Sequence, residues 1–522
     1  MNVPRDVTQL LRRACESAPQ RPAVVARSGS LSYAELDSLA SRAARALREL
    51  GVERGDRIAV CLPNDLDIVI AFHGAMRLGA IWVGVGQALA PPEKAEIVRD
   101  SGASLAVCDE PTIADLEHAR DTLPALRATL GSDPASGCAW MDAVSAQADR
   151  ALDGVVDPRA PAAIAYTSGT TGRPKGVVHS QRNLLLPGAY VVATRRYGAD
   201  LRKGDCLPLT ILNMMVLTTL LTAQAEATAV VMDRLDARSI ARWIRRERVD
   251  VWNGPPAVLY TMANDPEIAS EDLDSLAEVW SGGAECPEGI RSAFEAKFSV
   301  PIYATYGLTE APTIVTIEPL DEPHVARSSG RALPHLDVTI RDASAATLPS
   351  GEVGEICVAP RAAADVDEGP DPAYEPMLGY WGKPHEGDAA LVDGVLRTGD
   401  IGTLDPDGNL TVADRKNLVV NRGGANVHPA EVERVVLECR GVEACGVLGV
   451  PDERLGQRVG MLVQFAPESA GGVAALVGHC RERLARYKVP ELIAEVEALP
   501  RNAMGKLDRR ALAELGQRLL AG

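Results

Sequence analysis

Lysine is scarce in this 522-residue chain, eight residues against 46 arginines, and the net charge is −17 with no basic stripe. Nucleic acid and anionic membranes are therefore disfavoured as partners, because both are held by clustered cations. The ten cysteines stand singly from Cys15 to Cys480, without Cys-x-x-Cys or paired metal-type spacing. Neither a zinc site nor a disulfide framework is indicated, and a reducing cytoplasmic setting is expected. Arg5, Asp6, Arg12 and Arg13 surround a short apolar stripe at the N-terminus, which is no secretory signal. The longest uncharged run, Cys206 to Ala225, contains Pro208, Asn213 and four threonines and reads as a buried helix rather than a membrane span.

Two common nucleotide motifs are missing as well. A Walker loop needs Gly-Lys followed by Ser or Thr, whereas Lys175 lies between Pro174 and Gly176, and Gly505-Lys506 precedes Leu507. Gly84-Val85-Gly86 has Leu89 where a third glycine would complete a dinucleotide fingerprint.

What is present begins with an apolar content of 46%, enough for the cores of two or three domains. Ser32-x-x-Glu35 reads as a capping box for a helix with Leu36, Leu39, Ala40, Ala43, Leu47 and Leu50 at helical spacing, ended by Gly51. A strand at Ile58 to Leu62, a helix near Asp65 to Arg77, a strand at Ile81 to Val85, a helix from Pro92 to Asp100 and a strand at Leu105 to Cys108 follow. Such alternation implies an α/β fold of parallel sheets covered by helices. Turn-forming residues between Arg361 and Pro384 suggest a loop excursion, and Asp405 to Gly408 a hairpin-like turn. After Arg415 the pattern changes to a smaller α+β character: a helix opened by Pro429, strands at Cys445 to Val450 and Val459 to Phe465, and a helix from Val473 to Arg486.

Directly after an apolar run from Ala162 to Ala165, residues 166–176 read Tyr-Thr-Ser-Gly-Thr-Thr-Gly-Arg-Pro-Lys-Gly. Glycines let backbone N–H groups turn toward an anion, hydroxyls add donors, and Lys175 supplies a compact charge, the chemistry of a polyphosphate cradle. This stretch resembles the signature loop of the adenylate-forming superfamily, which holds acyl-CoA synthetases, adenylation domains of peptide synthetases and beetle luciferases. Three further segments resemble that family in its order: Tyr306-Gly307-Leu308-Thr309-Glu310, Thr398-Gly399-Asp400 and Asn502-Ala503-Met504-Gly505-Lys506. The resemblance covers essentially the whole chain and implies a large N-terminal domain, residues 1–414, and a small mobile C-terminal lid, residues 415–522.

The resemblance also implies roles. Thr167, Ser168, Gly169, Thr170, Thr171, Gly172 and Lys175 would handle the β- and γ-phosphates of ATP, and Gly282, Gly283 and Ala284 would lie along nucleotide and substrate. Tyr306 would stack on adenine beside Gly307, Asp400 would take the ribose hydroxyls with Arg415 helping, and Glu310 would bind Mg²⁺, a hard cation wanting oxygen ligands. Thr309 would donate to the α-phosphate and Lys506 would be the catalytic cation. Gly423 and Gly424 resemble the glycines of a pantetheine channel for coenzyme A, although a tight turn explains the same pair. Asn417 stands where the family usually places Asp or Lys at the lid pivot.

The acyl pocket departs furthest from the family. Leu207-Pro208 is followed by Leu-Thr-Ile-Leu-Asn-Met-Met, with Ile211 about where a His is common and no acid to pair with a substrate ammonium. Ile211, Asn213, Met214, Met215 and Gly283 are the candidate pocket residues, and a bulky apolar aryl, alicyclic or similar non-amino acid is the expected substrate. The expected reaction is acyl-AMP formation followed by transfer to CoA. Loading of a carrier protein's phosphopantetheine and a binding protein without turnover remain as alternatives.

Overall fold

The computed structural model describes residues 4–132, 138–150, 152, 156–167, 174–283, 286, 288–342, 344–361, 375–415, 419–427, 429–466, 472–500, 507 and 509–520. The fold is α/β, with a large N-terminal domain and a smaller C-terminal one. Two sheets dominate the large domain. One has seven strands, among them Arg57–Cys61 paired in parallel with Ile81–Gly84 on one side and Leu105–Cys108 on the other. The other has nine, its parallel core formed by Thr228–Val231, Arg202–Asp205, Val251–Asn253, Glu278–Gly282 and Ile302–Leu308. Parallel strands are covered on both faces, which is why runs such as Leu105–Cys108 are apolar throughout and fully buried.

Local chemistry starts the elements where the sequence places them. Glu35 accepts from the Ser32 amide at 2.8 Å while the Ser32 hydroxyl accepts from the Glu35 amide, closing the capping box of helix Tyr33–Glu49. The uncharged Cys206 to Ala225 run contains a helix, Leu212–Met215 continuing through a π-helical turn at Val216–Leu220 into Leu221–Gln224, and most of it is buried. No helix of the described residues is long and apolar enough to cross a membrane.

A third, antiparallel sheet carries Gly354–Pro360 and Val395–Leu404, and the latter pairs with Leu410–Arg415 across the Asp405 to Gly408 turn. The expected loop excursion is only partly a loop. Its end returns as the short strand Gly379–Tyr380, which adds an antiparallel edge to Lys175–Ser180, and residues 362–374 lie outside the described residues. A fourth sheet, built from Val420–Arg422, Ala425–Val427, Val442–Asp452, Gly456–Phe465 and Leu492–Glu495, has its own apolar core of Val447, Val459, Met461 and Leu476.

Candidate active site

The Ser/Thr/Gly-rich stretch closes a hairpin. Pro161–Thr167 and Lys175–Ser180 pair antiparallel with Thr167 opposite Lys175, so the loop connects strand to strand, unlike the strand-to-helix connection of a Walker loop. Ser168, Gly169, Thr170, Thr171 and Gly172 lie outside the described residues. At the described end of the loop, Lys175 meets Glu386 at 2.5 Å and sits 5.2 Å from the centroid of the Tyr380 ring. The returning strand clamps the hairpin: the Trp381 amide donates to the Gly176 carbonyl at 2.7 Å and Lys383 donates to the Pro174 carbonyl at 3.0 Å.

Tyr380 connects this hairpin to a second motif. Its hydroxyl donates to Glu310 at 2.9 Å. Burial, and then the adjoining Glu310 charge, raises the Tyr380 phenol above its ordinary range, so it remains a neutral donor. Thr309 is held from the other side. His179, on the strand that follows the loop, is buried and its Nε2 lies 2.7 Å from the Thr309 carbonyl oxygen. A carbonyl only accepts, so the proton sits on Nε2. Burial depresses the His179 ring to about 4, which keeps it neutral.

The turn bearing Thr309 and Glu310 is close-packed. A Cβ on Gly307 would overlap the Thr313 carbonyl oxygen, so only glycine fits that strand. Thr313 itself has φ +81°, an outlier for a β-branched residue, and costs about 1–3 kcal/mol that the surrounding sheet must offset. Gly282 ends the neighbouring strand with no space for a Cβ beside Thr305, and Gly283 follows at φ +77°. Ala284 lies outside the described residues.

Tyr306 and Asp400 also come together. The Tyr306 hydroxyl donates to Asp400 at 2.7 Å, and Asp400 is 3% exposed. Asp400 and Arg415 are register partners on adjacent strands. Glu310 offers hard oxygen ligands, and the described residues contain no cluster of three or more His, Cys, Asp or Glu side chains able to hold an ion alone. One carboxylate completed by phosphate oxygens and water suits Mg²⁺, which keeps much of its hydration.

The candidate acyl residues divide. Ile211 is 49% exposed and Met214 half-buried, whereas Met215 is fully buried in the core and accepts from the Thr219 hydroxyl at 3.3 Å. Asn213 is half-buried on the same turn. Gly84 approaches this segment so closely that a Cβ would overlap the Thr210 carbonyl. Asp205, two residues before Leu207, is already paired with the equally buried Lys203 at 2.7 Å and accepts from the half-buried Asn253 at 2.6 Å.

The smaller domain meets the larger one at a different place. Gly423 and Gly424 form the turn between Val420–Arg422 and Ala425–Val427 with φ of +58° and +86°, as a two-residue hairpin turn of mirror-image type requires. The turn lies against the body: a Cβ on Gly424 would sit 3.4 Å from Pro255, and one on Gly423 3.8 Å from Ala257. A cleft of about 800 Å³ opens there, lined by Ala257, Tyr260, Ile290, Gly423, Gly424 and Leu455. Lys506 and Asn417 lie outside the described residues.

Sequence reasoning missed His179, Tyr380 and Glu386. Each stands outside the family-like segments, and no local pattern marks them. The nearest signals were the rarity of histidine, eight in the chain, and the turn-rich Arg361 to Pro384 stretch.

The profile of the family described as AMP-binding enzyme matches residues 11–364, and that of the AMP-binding enzyme C-terminal domain matches residues 431–506. The chain is 32% identical to the long-chain-fatty-acid–CoA ligase FadD13 of Mycobacterium tuberculosis over 98% of both chains. It is 34% identical to a feruloyl-CoA synthase of Amycolatopsis over 95% of this chain and 96% of the other. Among solved structures, the amide bond synthetase McbA of Marinactinospora thermotolerans superposes with a TM-score of 0.85 at 28% identity, covering 98% of this chain and 99% of that one. The o-succinylbenzoate CoA synthetase MenE of Bacillus subtilis, bound with the product analogue OSB-NCoA, gives 0.82 at 25% identity over 97% and 98% of the chains. ATP-bound MatB of Rhodopseudomonas palustris gives 0.71 at 26% identity over 97% and 98%.

Proposed function

The chain belongs to the AMP-binding enzyme family, and on that premise we propose that it activates a carboxylic acid with ATP and passes the acyl group to coenzyme A. A carboxylate is a poor acyl donor because its leaving group would be an oxide. A carboxylate oxygen therefore attacks the α-phosphorus of ATP, the bond to the β-phosphate bridging oxygen breaks, and pyrophosphate leaves with an acyl-AMP behind it. The thiol sulfur of CoA then attacks the acyl carbon, AMP departs, and the thiol proton is lost. Both steps ask the protein for positioning and charge compensation rather than a protein nucleophile.

The observation that carries this reading is the meeting of two distant motifs on one tyrosine: Lys175 against the Tyr380 ring and Glu310 on its hydroxyl. In this assignment the 167–175 hairpin takes the phosphates, Asp400 and Arg415 the ribose, and Tyr306 and the Gly282 strand end the adenine side. Thr309 donates to the α-phosphate, its backbone oriented by His179. When bound at Glu310, Mg²⁺ supplies neutralisation of phosphate charge. Lys506, carried by a lid of residues 415–522 on a body of residues 1–414, is assigned the charge that bridges carboxylate and α-phosphate. Gly423 and Gly424 line the approach of the thiol arm.

For the acid, a bulky apolar aryl, alicyclic or similar carboxylate is favoured. The 207–215 stretch has no acid, and Asp205 is committed to Lys203, so nothing there is free to pair with a substrate ammonium. The named acids of the two relatives, long-chain fatty and ferulic, are likewise not amino acids.

Replacing Lys506 with Ala tests the assignment: carboxylate-dependent pyrophosphate exchange is lost while ATP binding persists, and equal exchange in both proteins would refute it. A hydroxylamine-trapping screen across aryl, fatty, alicyclic and amino acids identifies the substrate class. CoA thioester formation against loading of a purified carrier protein decides the acceptor.

A further inference from the structure

Glu93 belongs to none of the nucleotide motifs and lies in the first turn of the body helix Pro91–Ser101. One of its oxygens accepts from the Ala90 amide at 2.8 Å, closing the start of its own helix, and the same oxygen accepts from the lid amide of Ala485, also at 2.8 Å. The other accepts from the lid ammonium of Lys488 at 2.7 Å. Lys488 is 4% exposed and donates equally, at 2.7 Å, to Glu431 of the lid helix Pro429–Leu437. A buried lysine thus bridges a lid carboxylate and a body carboxylate.

The arrangement is suited to release. A charge buried without a partner is costly. If the lid swings away, however, Lys488 retains Glu431 and Glu93 retains the Ala90 amide, so neither ion is stranded. Burial raises the Glu431 carboxyl to about 7 against the pull of Lys488, a sign of how dry this junction is. In the same lid position the Gly423-Gly424 turn lies on Pro255 and Ala257 at the 800 Å³ cleft.

We propose that Glu93 is a positioning residue for acyl transfer: through Lys488 and the Ala485 amide it docks the lid in the orientation that brings the glycine turn to the acceptor cleft. This rests on the two-step reading above and on two lid orientations, one for each step, which the resemblance to the adenylate-forming family implies. Glu93 touches no reacting atom and acts only by selecting that orientation.

Glu93→Gln separates docking from helix capping, because a glutamine carbonyl still accepts the Ala90 amide but carries no charge for Lys488. Pyrophosphate exchange by the full-length variant stays within about twofold of wild type, while single-turnover transfer from acyl-AMP to CoA slows by about tenfold with the KM for CoA unchanged. Deuterium uptake at the Ala485 amide rises, and the strand Gly456–Phe465 keeps its protection. Wild-type transfer by Glu93→Gln, a parallel fall in both half-reactions, or unchanged uptake at Ala485 would each overturn the proposal. A wild-type protein that exchanges pyrophosphate yet forms no CoA thioester would sink the functional reading and the transfer role with it, while uptake at Ala485 would still judge the docking contact separately.

Discussion

Removal of one hydroxyl, by Tyr306→Phe, probes the proposed nucleotide site most directly. Asp400 is almost wholly buried, and the Tyr306 hydroxyl donates to it at 2.7 Å from the adjoining sheet. A hydrogen bond to a charged acceptor contributes about 1.5–3 kcal/mol, and a buried carboxylate that loses a donor bears the corresponding desolvation cost. Phenylalanine preserves the ring, so any stacking on adenine is unchanged and only the orientation of Asp400 is disturbed. If Asp400 binds ribose, the loss appears as weaker ATP binding: the KM for ATP in pyrophosphate exchange rises by about 10- to 100-fold while kcat stays within about threefold. Thermal unfolding run alongside separates this from a general loss of stability. A KM within about twofold of wild type in a protein that melts earlier would refute the ribose assignment and leave the bond a purely structural one.

Glu310→Gln retains an acceptor for the Tyr380 hydroxyl but removes the charge, so the Mg²⁺ concentration giving half-maximal exchange rises by about tenfold, and an unchanged Mg²⁺ dependence argues against metal binding there. Gly424→Val places a β-branched side chain at φ +86° against Pro255, at a backbone cost of about 1–2 kcal/mol. Thioester formation falls while pyrophosphate exchange persists, and undiminished thioester formation removes the turn from the acceptor path. Acid sensitivity comes from buried imidazoles. Burial depresses His73 and His335 to about 3 and His179 to about 4, below the unfolded value near 6.5, so each is neutral when folded and takes up a proton on unfolding. Their stabilisation is complete above pH 6.5 and is lost as the pH falls toward 4, together about 4 kcal/mol between pH 7.5 and 5.5. Denaturant unfolding at those two pH values measures it, and an unmoved midpoint shows that the three rings are accessible to protons in the native state.

Much of the architecture was legible in the chain because the signals are local. The capping box at Ser32 and Glu35 and the apolar runs at Ile58 to Leu62 and Leu105 to Cys108 carry their own hydrogen-bonding or burial logic, and the structure forms those elements to within a residue or two. The Arg361 to Pro384 segment was misread at its end, because a two-residue edge strand such as Gly379–Tyr380 is too short for any period to register. Met215 illustrates the complementary difficulty. It neighbours Met214 and shares its chemistry, yet the helical turn sends one side chain into the core and leaves the other half-buried.

The linear order of residues, then, settled which chemical groups exist and in what local company: a glycine- and hydroxyl-rich loop after an apolar run, a Thr-Glu pair, a Thr-Gly-Asp segment, and lysines few enough to stand out. Folding alone decided which of them meet. That Tyr380 reaches both Lys175 and Glu310, that His179 holds Thr309, that Tyr306 bonds Asp400, and that Glu93 grasps Lys488 all depend on contacts between residues remote along the chain. No short-range pattern encodes such contacts, because they follow from how sheets stack and how the two domains meet.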